Sequence, residues 1–385
     1  VLQVESHAGL PIEGKLEQLN HCLVQMFGHD RVELVSAACD NLVSGSLNFT
    51  TAGIYRLHGL AQVQGEERSW SLVVKVSKPD SDDELKENHQ HHNYWLREAL
   101  LFKSGLLGEL PASIIRAPIS YLVEEQPEGT MWLWMEHVEG HYPQSQEQLN
   151  YIAYQLGRLG GEYVTGRREL PSEPWICQRW LKSWIAGSRK YAPDPHPYVD
   201  HLHQEHERRM WAWFQQLERE EEQLSAALER LPRVLAHQDL GHKNILLAQD
   251  GHADEQQVVF IDWQFMSLSG IGEDLAKMFG VNMSAGVIPQ GQYREYRESL
   301  FDSYIAGLRA AGWGGDAALA RFGFCTATAL RSVWEVPRYM EWAAQLEANP
   351  MDEQLRQRLE HFGQIIAIHM EMSAEAKASD ALKSK

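Results

Sequence analysis

The sequence predicts an α+β protein of two lobes, and three observations predict it. Up to about residue 135 the chain alternates short aliphatic runs with only two helical stretches. The composition then changes across Glu136 to Gly140. From Gln148 onward the apolar spacing is helical, interrupted by a single short hairpin pattern. At 385 residues the chain is long enough to bury a substantial core and to divide. The expected division is a β-rich first lobe over 1–135, a hinge over 136–140, a helical second lobe over 141–372 and a frayed polar tail over 373–385.

The elements follow in order. Lys15 to Gly28 ("KLEQLNHCLVQMFG") places apolar residues at helical spacing and stops on glycine, which reads as one helix. "RVELVSAACDNLV", "GIYRLHGLAQV" and "SWSLVVKVSKP" are rich in β-branched and aliphatic residues and read as strands. The polar stretch "QGEERS" joins the last two as a hairpin, and Pro79 stops the third. A charged lead-in then enters a helix ending at Gly105, followed by the strands "ISYLVEE" and "MWLWMEHVEG" around the turn "QPEGT". In the second half, "NYIAYQLGRLGGEY" has Ile152, Leu156, Leu159 and Tyr163 on one helical face. A long charged helical stretch ends near Pro232, and "NILLA" and "VVFID" form the lone hairpin before the chain turns helical again.

Composition narrows the functional classes. A 44% hydrophobic and 23% charged chain is an ordinary globular one. A net charge of -18 argues against a nucleic-acid partner, because phosphate neutralisation needs clustered Lys and Arg. The same acidity is compatible with a cationic small substrate, although it also serves solubility. Cys22, Cys39, Cys177 and Cys325 lie far apart with no C-x-x-C pair, so they read as buried thiols of a reducing compartment. No apolar run approaches the roughly 18 residues of a membrane span, and the amino terminus has no secretory pattern. A soluble cytoplasmic protein without a membrane partner is the expectation.

The chemistry concentrates in "LAHQDLGHKNILL", Leu235 to Leu247. It reads as a zinc cluster on H-x-D-x-x-H, as a phosphotransfer loop, or as a polar turn between strands. Asp239 and Asn244 stand as D-x-x-x-x-N, and the next apolar strand ends in Asp262. Phosphoryl transfer from a nucleotide needs a carboxylate to orient the acceptor hydroxyl and ligands for the bridging magnesium. Asn244 offers an amide oxygen and Asp262 a carboxylate, the hard donors that Mg2+ prefers. Asp239 would work mainly by positioning, since an alcohol is too weak an acid to ionise beforehand. His237 is expected to pack beneath the loop and bond backbone near Asp262.

"HQDLGHKN…IDW" resembles the catalytic and metal-binding signature of the aminoglycoside phosphotransferase and choline kinase family, small-molecule kinases with a bilobal protein-kinase-like fold. "IDW" stands where protein kinases have D-F-G, and "QFMSLSGIGEDLAKMF" leads straight into a helix without an activation segment. The resemblance implies that Asp274 braces the catalytic loop. It implies a phosphate-contacting Lys75 in "LVVKV", paired with Glu98 in "WLREALLF". It also implies Met135 as gatekeeper, with the backbone of Glu136 and Val138 meeting the adenine edge. Thr50, Thr51 and Gly53 take the place of the phosphate-covering loop, which here has no G-x-G-x-x-G and begins near Gly45. The family usually has Gly where Gln238 stands and often Pro-Gly where His242 and Lys243 stand, departures that bear on the substrate more than on the reaction. His242, Lys243, Trp334 and Glu335 are the candidates for substrate contact. The co-substrates implied are ATP (or GTP) with Mg2+ and a small hydroxyl compound: an aminoglycoside, amino alcohol, choline-like amine, sugar or nucleoside.

Each residue taken singly has a plainer reading. Asn244 serves equally as a turn residue, Asp262 as a helix cap, and Glu98 as an exposed helix charge. What weighs against these is the order in which all five positions follow one another. The 13 tryptophans are mostly core residues, although a few could form an aromatic box for a quaternary ammonium. "HQHHN" reads as a solvated segment. Alternatives carried forward are a catalytically silent nucleotide-binding scaffold, a protein kinase and a metal-dependent hydrolase.

Overall fold

The computed structural model describes residues 3–6, 10, 12–43, 49–248 and 256–379. The chain forms two compact units: Val1–His89, Asn93–His141 and Leu246–Gln264 make the first, and Gln90–His92, Tyr142–Ile245 and Phe265–Lys385 the second.

The first unit is organised on a sheet. Its elements in chain order are β1 (Gln3–Ser6), α1 (Leu16–Phe27), β2 (Val32–Asn41), β3 (Thr51–Val63), β4 (Glu66–Ser77), α2 (Asp83–Glu87), α3 (Arg97–Ser104), β5 (Ile115–Arg116), β6 (Ser120–Glu125) and β7 (Met131–Glu136). The sheet order is β1-β2-β3-β4-β7-β6, parallel only between β1 and β2. Hydrogen bonding on both sides makes β4 an interior strand, which fixes its register firmly. The β3–β4 hairpin turns on Gln64 and Gly65, both with positive φ, 55° and 86°. Such a two-residue turn matches the right-handed twist of the strands it joins. Helix α1 presents Leu19, Cys22 and Leu23 to the sheet residues Leu57, Leu72, Val74 and Trp134, all fully buried, so the helix is held by its apolar face.

The chain continues with α4 (Gln146–Val164), α5 (Trp180–Tyr191), α6 (Glu205–Glu229) and β8 (Arg233–Ala236). It then forms β9 (Ile245–Ala248) and β10 (Gln257–Phe260), followed by β11 (Ser267–Gly270), α7 (Glu273–Ser284), α8 (Tyr293–Ala310), α9 (Ala317–Leu330), α10 (Ser332–Ala348) and α11 (Glu353–Ala378). Capping boxes start α4, through Ser145 and Gln148, and α6, through Gln204 and Glu207, satisfying amides that have no partner within the helix.

Boundaries differ from the sequence expectation, and Gln90–His92, expected in the first lobe, falls in the second unit. Leu246–Gln264, expected in the second lobe, belongs to the first unit. The cause is pairing: β10 adds to β5 in parallel within a β5-β10-β9 sheet, and Leu247 exchanges both backbone hydrogen bonds with His141. The polar end of the chain is helical through Ala378, because Ser373 and Ala376 continue the buried face of α11.

In the second unit, α4 and α8 approach backbone to backbone. A Cβ on Gly157 would stand 2.0 Å from the Tyr304 carbonyl oxygen, and one on Gly307 would stand 2.0 Å from that of Tyr154. Backbone atoms cannot step aside as a side chain tip would. Gly157→Ala is therefore expected to destabilise the protein by about 1–3 kcal/mol, measured by urea denaturation. Gly108→Ala, where nothing lies within 4 Å, serves as the neutral control; equal effects of the two would contradict the close approach.

Candidate active site

In the first unit the central feature is a buried ammonium. Lys75 lies on β4 opposite Ile54 of β3 and Leu133 of β7, so its backbone is fixed from both sides. Its Nζ is 2.6 Å from Oε2 of Glu98 and 2.7 Å from Oδ1 of Asp262. Glu98, in the first turn of α3, accepts the Trp263 amide on its other oxygen at 2.9 Å. Asp262 adopts a positive φ of 63°, an uncommon backbone state for a residue with a Cβ.

One ammonium faces two carboxylates, which leaves one negative charge in excess. Burial by itself would push the Lys75 ammonium down, but Asp262 and Glu98 together hold it above its ordinary value. Burial raises Glu98, and the Lys75 charge offsets this only in part. Asp262 is the exposed member, its side chain 38% accessible against 2% for Glu98.

A second buried net braces this cluster. The Arg97 guanidinium, fully buried, donates to the carbonyl oxygens of Gln264 and His89 at 3.0 and 2.9 Å. The Gln264 amide donates to Thr50 Oγ1 and Asn93 Oδ1 at 2.5 and 2.6 Å. Thr50 is fully buried, so its hydroxyl is spent on the interior and is not available to a phosphate in this arrangement. Thr51 is buried too, and Gly53 lies within β3, where a Cβ would meet the Tyr55 ring. Gly45 lies outside the described residues.

The proposed hinge residues lie at the end of β7. Met135 is buried, and Glu136 turns its carboxylate onto Arg116 in a bidentate pair of 2.6 and 2.9 Å. Val138 forms an apolar cluster with Leu246, Ala248, Val259 and Ile261. Among the described residues the Val138 amide makes no backbone hydrogen bond.

The second unit holds the catalytic-loop candidates. Asp274, buried at the start of α7, accepts the amides of His237 and Gln238 at 2.7 and 2.8 Å. These bonds stabilise its charge, yet burial outweighs them and pushes the carboxyl up to about 6. Gln238 occupies a positive φ of 62°, the conformation that glycine adopts freely, and its buried amide donates to Ser269 Oγ at 2.8 Å. His237 Nδ1 accepts the Asp239 amide at 3.1 Å. Asn244 Nδ2 donates to both the carbonyl oxygen and Oδ2 of Asp239, each at 2.9 Å. Among the described residues no three His, Cys, Asp or Glu side chains converge as a cation site, which leaves the zinc reading of this loop without a ligand set.

The substrate candidates are scattered. The His242 amide donates to Asn282 Oδ1 at 2.9 Å, with the ring edge-on to Tyr142, and Lys243 is exposed. Burial and the Lys243 charge lower the His242 imidazole. Trp334 carries the Arg338 guanidinium 4.8 Å above its ring, whereas Glu335 is buried.

The profile of the phosphotransferase enzyme family (APH) matches residues 61–319, about two thirds of the chain. The chain belongs to this family. Among solved structures, an amicoumacin kinase in complex with AMP-PNP, Ca2+ and Ami shares 14% identity over 85% of this chain and 87% of its own, with a TM-score of 0.54. A choline kinase from Cryptosporidium parvum Iowa II shares 15% identity over 88% and 89%, with a TM-score of 0.45. The first likeness bears on the fold alone: a β-rich first unit and a mostly helical second, as in kinases of small molecules. No curated protein matches the chain in a sequence comparison.

Sequence reasoning about this phosphotransferase missed Lys277 and Arg331. The Lys277 Nζ lies 3.6 Å from Asp239 Oδ1 and within 5.1–5.8 Å of the Trp180, Trp184 and Phe265 ring centres. A charge three residues after Asp274 in the apolar run "DLAKMF" was an available signal, since that spacing shares a helix face. Arg331 had no such signal, because only the fold brings α10 to this place.

Removing the Asp274 carboxylate would leave two buried amides without an acceptor. Asp274→Ala is expected to cost roughly 2–5 kcal/mol of stability and Asp274→Asn less, because an amide oxygen remains for one of them. Thermal and urea unfolding compare the two; a destabilisation ranked the other way would contradict the role of Asp274 as acceptor.

Proposed function

We propose that this phosphotransferase moves the γ-phosphoryl group of ATP to a hydroxyl of a small molecule. The observation that carries the reading is Lys75, a buried ammonium bound by two carboxylates of which one, Asp262, remains open to solvent. A structural ion pair has no need of the second, exposed carboxylate. A site for phosphates and a divalent cation needs all three.

Two residues, each taken by itself, offer the kind of donor that magnesium prefers. Asp262 is a carboxylate, and Asn244 spends its NH2 group on Asp239, which leaves the amide oxygen as a hard donor. When bound, the cation neutralises charge developing on the transferred phosphoryl group. The protein groups do the rest. Lys75 places a fixed positive charge on the nucleotide phosphates, and Glu98 holds Lys75 in position. The apolar Val138, Leu246 and Ile261 suit the face of a purine, with the Val138 amide as donor to its edge. Asp239, its carboxylate oriented by Asn244 and its loop held by Asp274, orients the acceptor hydroxyl and takes its proton late in the transfer. The complex of the amicoumacin kinase with AMP-PNP and Ca2+ supports a nucleotide and divalent cation as the co-substrates. A silent scaffold would have lost one of Lys75, Glu98, Asp239, Asn244 or Asp262, and all are present.

Asp239→Asn keeps the size of the side chain and removes its basicity. Acceptor-dependent nucleotide consumption is expected to fall by about 100-fold or more, while the affinity for ATP stays within about twofold of the parent protein. Turnover at the parent rate would overturn the assignment of Asp239.

A further inference from the structure

We infer that the acceptor of this phosphotransferase carries an acidic group, a carboxylate or a phosphate ester, that is held by Lys277 and Arg331 beside Asp239. The inference rests on the reading of Asp239 as the residue that orients the acceptor. It departs from what the acidity of the whole chain suggests, because local charge, not net charge, decides what binds at one place.

Both cations are interior residues, Lys277 6% and Arg331 7% exposed. A buried cation is ordinarily matched by an anion with hydrogen bonds. Lys277 has the Asp239 carboxylate at 3.6 Å, which is too long for a strong charge-assisted bond, and feels the charges of Asp274 and Glu335 without an ion pair to either. Arg331 feels the charges of Glu335 and Asp239. Among the described residues its guanidinium makes no ion pair, and its Nε is buried with no hydrogen-bond partner. Its head lies 5.1 Å above the Trp184 ring, which holds a cation in place without consuming its N–H groups. Trp184 stacks in turn on Trp180, at 6.1 Å and 14° between planes.

Lys277, Arg331 and Gln238 line one small hollow together with Trp180, Ala327 and Glu273. Glu273 is the acid that lines it, while Glu335 and Asp239 act on Arg331 through their charges without an ion pair. Burial pushes Glu335 up to about 7, and its Oε2 likewise has no hydrogen-bond partner. Glu273, raised to about 7 by burial, is engaged with the Gly270 amide at 2.6 Å. Asp274 is spent on the loop amides. Lys277 and Arg331 repel one another, as the lowering of Lys277 to about 8 by burial and by the Arg331 charge reflects. Two neighbouring cations, one of them with a buried Nε that has no hydrogen-bond partner, form a receptor for an anion. The Lys277 ammonium stands 3.6 Å from Asp239 Oδ1, so an acid group bound there places the hydroxyl of the same molecule next to the carboxylate that orients it.

The test measures nucleotide consumption with matched sets of hydroxyl compounds: glycerate, glycerol 3-phosphate, glycerol and 3-amino-1,2-propanediol, then gluconate, glucose 6-phosphate, sorbitol and glucosamine. The expected result is a kcat/KM at least about tenfold higher for acid-bearing members than for neutral or amine-bearing ones. The carboxylate and phosphate arms tell which acid is used. In Arg331→Gln and separately in Lys277→Gln, KM for the preferred acid should rise about tenfold, with KM for ATP unchanged, and Arg331→Lys should recover part of the loss. Preference for neutral or amine-bearing compounds, or turnover of no acidic one, overturns the inference. Only failure to bind magnesium–ATP as well overturns the kinase reading on which it rests.

Discussion

A charged lysine inside a protein must be matched or neutralised, and the first unit is arranged around matching Lys75. Taking an ion out of water costs several kcal/mol even after relaxation, and removing one partner of a buried pair costs about 3–5 kcal/mol. Lys75 meets that cost with two carboxylates, each delivered by a different part of the chain. The interior position of β4 fixes the lysine. The first turn of α3 delivers Glu98, which also receives the Trp263 amide. The positive φ of Asp262 turns the chain at the end of the segment that β5 and β10 hold in the first unit. Buried Arg97 and Gln264 tie α3, Thr50 and this segment together, so that a change at any of these points is felt at the ammonium.

The second unit holds rigidly the carboxylate proposed to orient the acceptor. Asp239 is 31% exposed at its side chain, and its loop is fixed from below by Asp274 and from the side by Asn244. The uncommon backbone of Gln238 is tolerated because its amide side chain is bound to Ser269. Lys277 stands 3.6 Å from Asp239 and lies against Trp180, while Arg331 lies over Trp184. The inferred acid group of the acceptor would give the buried Arg331 Nε the partner it lacks.

Much of this was legible in the sequence, and the limits have physical causes. Strand and helix periodicity gave the β-rich first part and the helical second, and helix α1 and its terminal glycine stand within a residue of where spacing put them. Order along the chain singled out Lys75, Glu98 and Asp262, which the fold joins through one ammonium, and Asp239 and Asn244, which it joins by a hydrogen bond. Thr50 shows what order cannot supply: a hydroxyl in a turn reads as available, and only the fold reveals that Gln264 and Asn93 enclose it. The membership of Leu246–Gln264 in the first unit depends on a two-residue strand, Ile115–Arg116, too short to leave a pattern. Arg331 was hidden for the same kind of reason, since its meaning depends on the empty donors around it and not on its neighbours in the chain.

The central claim is that the Lys75, Glu98 and Asp262 cluster holds an excess negative charge which a divalent cation arriving with the nucleotide relieves. Calorimetric titration of a non-hydrolysable ATP analogue, with and without Mg2+, tests it directly in the parent protein and in Asp262→Asn. The account predicts that Mg2+ strengthens binding to the parent protein by roughly tenfold or more, and that this dependence is largely abolished in the variant. Equal magnesium dependence in the two proteins would contradict it.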